Sequence, residues 1–279
     1  MRANLSWNRY GKSRVRLVKV HRGPDSHDLI DLTIDVSLEG AFERVYVEGD
    51  NSGCLATDTM KNTVYAFARQ DPIDHVEPFA TRLAGHFSSK PGVSLVRIEA
   101  AEHPWTRLSV GGRPHPHAFS RGGSEEWTTV VTRDGEDTAI TSGVRGLVVL
   151  KTTDSAFAGF PRDQYTTLPD TNDRILATSI TAAWRYTPGF SDFAQRSAVR
   201  AALVETFAAH RSESVQQTLY AMGEAALAAC GGVVDIQLSL PNRHHLLVDL
   251  LPFGLDNPNE IFVATDEPFG LIEARVTRT

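Results

Sequence analysis

Cysteine is scarce in this chain: Cys54 and Cys230 are the only two among 279 residues. Two thiols cannot build a disulfide framework. Each sits in an apolar or helical stretch, where a cysteine packs as a small hydrophobe. Long apolar runs are missing too. The longest, such as Ala225 to Cys230 and Leu147 to Leu150, fall far short of the roughly 18 residues of a membrane span. The first nine residues hold no apolar core of a secretory signal, and the end, Val276-Thr277-Arg278-Thr279, carries no Ser-Lys-Leu address. A cytoplasmic, bacterial-type setting is therefore expected. Basic runs are absent as well: 28 Lys and Arg stand against 34 Asp and Glu, a net charge of −6. That leaves no electrostatic footprint for nucleic acid, so neither nucleic acid nor membrane is expected as a partner. With 41% hydrophobic residues, a chain of this length forms one large domain or two ordinary ones, with no need of covalent staples.

What is present is a doubled pattern. Leu32, Ile34, Val36 and Leu38 alternate with Asp31, Thr33, Asp35 and Ser37, the period of a strand with one buried and one wet face. Arg14 to Val20 also reads as extended, and Gly23-Pro24-Asp25-Ser26 turns the chain between the two. Two helices are expected next. One starts at Thr57-Asp58, both competent caps, with Met60, Val64 and Phe67 on one face; the other starts at Asp71-Pro72 and carries Ile73, Val76, Phe79, Leu83 and Phe87 to a stop at Pro91-Gly92. Strands at Val93 to Ala101 and Trp127 to Thr132 follow, joined by a long connection from Glu102 to Gly123. The second half repeats this order. Strands at Gly146 to Thr153 and Ala177 to Tyr186 precede a helix bearing Val199, Leu203 and Phe207, then a capped helix from Ser214 to Cys230. Val234, Ile236, Leu238 and Leu240 give one closing strand, and Leu246, Val248 and Leu250, past a break at Pro241-Asn242, give the other.

This order implies an α+β chain of two tandem modules, each an antiparallel sheet with a helix pair on one face. The charged turn Arg133 to Asp137 is the expected division, giving modules 1–135 and 136–279. Sheets with open edges are expected to join edge to edge into a closed barrel, and so to make the protein an oligomer.

Three stretches carry chemistry. Ser214-Val215-Gln216-Gln217 has the pattern of a capped helix start, where backbone N–H groups lack helical partners and suit an anion or a ring oxygen. By itself the motif reads as a plain cap, and so does Thr57-Asp58. Asn242 and His244, two residues apart in extended chain, face one side of a sheet, which makes His244 a candidate acid/base group. The third is the run from Leu150 to Leu168, including Ser155-Ala156-Phe157-Ala158-Gly159-Phe160-Pro161-Arg162-Asp163, followed by Asp173-Arg174-Ile175-Leu176. It closely resembles the signature region of the urate oxidase (uricase) family. Arg9-Tyr10-Gly11-Lys12, Ala56-Thr57-Asp58, Ser214-Val215-Gln216 and Ser239 to His244 reinforce it in the family's order.

The resemblance implies two tunnelling-fold modules per chain and a homotetramer enclosing a tunnel, with active sites shared between subunits. It implies oxidation of urate by O2 and water to 5-hydroxyisourate and hydrogen peroxide, with no metal or organic cofactor. Carried over residue by residue, Phe157 stacks on the purine, Arg174 forks onto one edge, Gln216 pairs with the opposite edge, and the Val215 N–H meets a urate oxygen. Lys12, Thr57 and His244 form a proton relay. Asn242, with Thr57, positions O2 and the attacking water, and Asp58 joins the substrate-binding residues. Arg243 stands where some members have lysine.

Two rivals are weighed against this. Related tunnelling-fold enzymes act on pterins with zinc, and His103, His115 and His117 could be assembled into a metal site, though no cysteine lies near them. The other rival is a purine-binding protein that keeps the pocket without the chemistry.

Overall fold

The computed structural model describes residues 3–70 and 72–279. Asp71, read above as leading into a helix, lies outside them. The chain forms two compact units. The first runs to Gly143 and includes Arg185–Ala194; the second comprises Val144–Trp184 and Gln195–Thr279.

The first unit opens with the hairpin β1 (Tyr10–Arg22) and β2 (His27–Gly40), antiparallel with Leu17 opposite Leu32. The alternation read from sequence holds: Leu32, Ile34, Val36 and Leu38 are sealed in the core. The other face is not uniformly wet, because Asp31 is also buried, held by Arg16 and by the Trp105 indole N–H at 3.0 Å. After a short helix, α1 (Glu43–Val47), come α2 (Thr57–Gln70) and α3 (Val76–Ser88). Helix α2 packs on β1, while α3 packs on β3 (Val93–Glu102) and β6 (Glu126–Asp134). Met60, Val64, Phe79, Leu83 and Phe87 fill the core between helices and sheet. The strand order is β1-β2-β3-β6, with each neighbouring pair antiparallel.

Three expectations are corrected here. Helix α2 begins at Thr57 itself, with the Ala56 carbonyl accepting from the Met60 N–H at 3.2 Å, so Thr57 and Asp58 are first-turn residues rather than caps. Helix α3 begins at Val76, not at Pro72. The proline tolerated in its first turn is Pro78, whose missing N–H would have had no helical partner anyway, and Ile73 packs on the core from the preceding loop. The connection from Glu102 to Gly123 contains a second sheet, the hairpin β4 (Thr106–Val110) and β5 (Arg113–Ser120), reversed at Gly111-Gly112.

Strand β7 (Asp137–Lys151) runs from the first unit into the second. The division therefore falls inside a strand, at 143/144, rather than at the turn around Gly135, which only reverses the chain between β6 and β7. Turn residues mark reversals, and a reversal within one sheet separates nothing. In the second unit β8 (Leu176–Tyr186), α4 (Arg196–Ala209), α5 (Val215–Ala229), β9 (Val233–Leu247) and β10 (Phe262–Thr277) follow, in the strand order β7-β8-β9-β10. Helix α5 packs on β9 and β10 and α4 packs on α5. The approach is close: a Cβ added at Gly223 would lie 2.5 Å from Val276 Cγ2. Cys230 is buried at the end of α5, Cys54 is half-buried, and both are free thiols.

The closing strands differ from the sequence reading. Strand β9 continues through Pro241 and Asn242 to Leu247, its partner β10 bulging between Thr265 and Gly270. The last strand lies at Phe262–Thr277, not at Leu246–Leu250. Of its sixteen residues only Val276 is buried, so no apolar alternation marks it.

Candidate active site

The first unit places Lys12, Thr57 and Asp58. Lys12 lies near the start of β1, opposite Val36, where the register slips before Val15. Arg14 takes a left-handed φ of 58°, and its N–H donates to Asp35 Oδ1 at 2.5 Å. Gly11 lets the strand approach: a Cβ there would sit 1.9 Å from the Val36 carbonyl oxygen. Tyr10, just before it, ties β1 to the loop that leads into α2. Its hydroxyl oxygen accepts from the Leu55 N–H at 3.0 Å, and its ring meets Phe42 edge-on at 4.9 Å. Burial, reinforced by a hydrogen bond with Cys54, pushes the Tyr10 phenol up to about 12. The residues flanking Lys12 and Thr57 are thus joined by one hydrogen bond.

Thr57 opens α2 half-buried, at the positive end of the helix where backbone donors lack helical partners. Asp58 is exposed and turned to its own helix, accepting from Lys61 Nζ at 2.5 Å and Asn62 Nδ2 at 2.9 Å. The Lys61 ammonium, mainly, holds the Asp58 carboxyl below the usual carboxylate range, with the Lys12 charge contributing less.

The second unit gathers Phe157, Arg174, Val215 and Gln216 through paired backbone. The Phe157 N–H donates to the Thr171 carbonyl at 2.8 Å and the Thr171 N–H returns at 3.0 Å. Just before it, Ala156 donates to the Ser212 carbonyl at 2.7 Å and Ser212 donates to the Asp154 carbonyl at 2.9 Å. The second pair anchors the Phe157 segment to the loop that begins α5. There the Ser214 hydroxyl accepts from the Gln217 N–H at 3.1 Å. The Gln217 amide oxygen reaches the Glu213 N–H at 2.9 Å, a capping box displaced by one residue. Val215, at the first helical position, is buried and Gln216 is exposed.

Arg174 is the most telling side chain. Its guanidinium carbon lies 5.3 Å from the Phe157 ring centroid, within the reach of a cation–π contact. Its Nε is buried with no hydrogen-bond partner among the described residues. Burial also lowers the pKa of the group. A buried guanidinium donor left unanswered costs free energy, and a planar anion carrying an acceptor edge would answer it. Asn242 and His244 stand on β9 opposite Gly270 and Thr265, two residues apart in extended chain and so on one face.

The metal reading is corrected at His103. Its Nε2 lies 2.8 Å from Thr33 Oγ1, and its Nδ1 lies 2.8 Å from Glu126 Oε1 and 3.1 Å from an Arg121 nitrogen. Both ring nitrogens are engaged in a part-buried network and neither is free to ligate. His115 and His117 pack ring to ring at 4.6 Å on the β4–β5 hairpin. No group of three His, Cys, Asp or Glu among the described residues is arranged to hold a metal ion.

Sequence reasoning passed over Tyr10, Leu55, Phe160 and Arg162, although all but Leu55 stand inside the motifs it quoted. The Phe160 ring stacks on Phe157 and the Arg162 guanidinium lies over Phe160. Their spacing gave no periodicity, because they lie in a loop.

The uricase family model matches residues 8–132 and 140–273. The chain is 49% identical to the uricase of Arthrobacter globiformis over 98% of its own length and 90% of that protein's. It is 39% identical to the uricase of Aspergillus flavus over 97% of its length and 96% of that protein's. The crystal structure of the Arthrobacter globiformis uricase superposes with a TM-score of 0.94 at 48% identity, covering all of this chain and 96% of that one. At 22% identity, the urate oxidase of Bacillus sp. TB-90 shares the fold, with a TM-score of 0.85. With the match running nearly end to end, the chain belongs to the uricase family.

Proposed function

We propose that this protein oxidises urate with O2 and water to 5-hydroxyisourate and hydrogen peroxide, using its own side chains and no metal or organic cofactor. The observation that carries the reading is Arg174, whose buried Nε lacks a partner beside the Phe157 ring. Phe157 offers a stacking face, Arg174 forks onto one edge of the purine, and the Gln216 amide pairs with the other. The Val215 N–H, at the start of α5, donates to a urate oxygen.

Two electrons leave urate for O2, and two protons accompany them into peroxide. A urate dianion is electron-rich enough to reduce O2, so the protein supplies deprotonation, orientation and charge stabilisation. Lys12, Thr57 and His244 relay the protons, and Asn242 with Thr57 holds O2 and then water over the ring. Lys12 and Thr57 belong to the first unit and the purine clamp to the second. In this reading Lys12 and Thr57 of one subunit serve the clamp and His244 of its partner in a homotetramer of tunnelling-fold modules.

The surface supports that assembly. Strand β1 is an edge strand of the first unit and β10 of the second, and open edges invite pairing. A groove of about 870 Å³, lined by Val18, Val20, Tyr65 and Ile73 among others, runs beside the free edge of β1. Leu251, Phe253, Leu255, Val263 and Leu271 are exposed in the second unit.

Lys12→Met tests the relay. Turnover should fall by at least about tenfold, the usual contribution of a positioned acid/base group being larger still, while urate binding by equilibrium titration stays near wild type. Unchanged turnover would remove Lys12 from the chemistry.

A further inference from the structure

We infer that Phe160 and Arg162 are positioning residues that set the plane of the Phe157 ring and so the tightness of urate binding. The inference rests on the reading that Phe157 stacks on urate. Residues 158–170 form a loop closed at its base by the Phe157 and Thr171 backbone pair. Within it the Phe160 ring lies parallel to Phe157, with 4.9 Å between centroids and 12° between planes. The Arg162 guanidinium carbon lies 4.9 Å from the Phe160 centroid. Its nitrogens reach the Leu168 carbonyl at 3.1 Å and Asp170 Oδ1 at 3.3 Å, and Asp170 also accepts from the Gly159 N–H at 3.2 Å.

The result is a ladder: Phe157, Phe160, Arg162. Phe160 backs one side of the Phe157 ring, so a planar substrate has the other. Arg162, pinned by the far end of the same loop, holds Phe160 through its π face, where a cation is attracted electrostatically. A phenylalanine on a loop without such backing turns about its side-chain bonds. That freedom would have to be lost each time urate binds. The brace removes it in advance.

The test is steady-state urate oxidation by the full-length enzyme carrying Phe160→Leu, Phe160→Tyr and Arg162→Lys. An aromatic stack is worth roughly a three- to tenfold change in affinity. Phe160→Leu should therefore raise KM for urate by about that factor with kcat within about twofold, and Phe160→Tyr should restore it. Arg162→Lys keeps the charge but loses the planar fork, and should raise KM in the same direction by less. In a Phe157→Leu background, Phe160→Leu should add nothing further, since its effect passes through that ring. An unchanged KM in Phe160→Leu, or full additivity with Phe157→Leu, overturns the inference. If Phe160→Leu does not fold, an unaltered KM in Arg162→Lys does so. Absence of urate oxidation by the unaltered enzyme would instead overturn the reading on which it rests.

Discussion

At the residue scale, Arg174 pits stability against function. Its Nε is buried with no hydrogen-bond partner among the described residues, so the ligand-free protein carries a desolvated donor. Arg174→Met keeps the apolar stem and removes the orphan. The ligand-free variant should melt at or above the wild-type temperature while urate binding falls by at least about tenfold, the loss expected for a charged hydrogen-bonding partner. A drop of several degrees in the ligand-free melt, with binding retained, would show Arg174 to be structural. Tyr10 makes the second case. Its phenol is raised from 10.0 to about 12 by burial, so the folded state holds this proton more tightly than the unfolded one. Its contribution is whole below pH 10 and is lost as pH rises toward 12. Tyr10→Phe, which strips the Leu55 N–H of its acceptor, should be less stable at neutral pH by about 1 kcal/mol. That deficit should narrow in denaturant titrations between pH 10 and 12; a constant deficit would contradict the buried-phenol account.

At the scale of elements, the start of α5 joins fold to site. The Ser214 hydroxyl caps Gln217, and the backbone on either side of it positions Val215 and Gln216. Ser214→Ala should lower stability by about 1 kcal/mol and raise KM for urate, both absent if the cap is incidental. This start was legible in the sequence, because Ser-x-x-Gln before an apolar period has few other meanings. So was β2, whose alternation from Leu32 to Leu38 follows the burial seen. Strand β10 was not legible, since fifteen of its sixteen residues escape burial in the single chain and alternation records only burial. Nor was the β4–β5 hairpin: His115, Pro116 and the two glycines read as loop, and Arg107 grips the His27 carbonyl and Asp28 from 80 and 79 residues away. The site residues were named through the family likeness. From bare residue patterns only the α5 start and the Asn242 and His244 pair stood out, and Phe157 and Arg174 meet through backbone pairing that spacing does not reveal.

At the scale of the whole molecule, the account requires that Lys12 and Thr57 come from one subunit and the clamp from another. Mixed assemblies test this. Lys12→Met and Arg174→Met chains, each inactive alone, should regain activity when unfolded together and refolded. Random pairing makes half of the two-chain units mixed, each with one intact site, so about a quarter of wild-type activity should return. No recovery in mixed assemblies verified by mass would place both groups in one chain's own site. The most direct measurement comes before any variant: loss of urate absorbance in air-saturated buffer, with peroxide quantified in the same cuvette, with and without a strong chelator. The account predicts one peroxide formed for each urate lost, at a rate the chelator does not change; binding of urate without its loss, or loss abolished by the chelator, would contradict it.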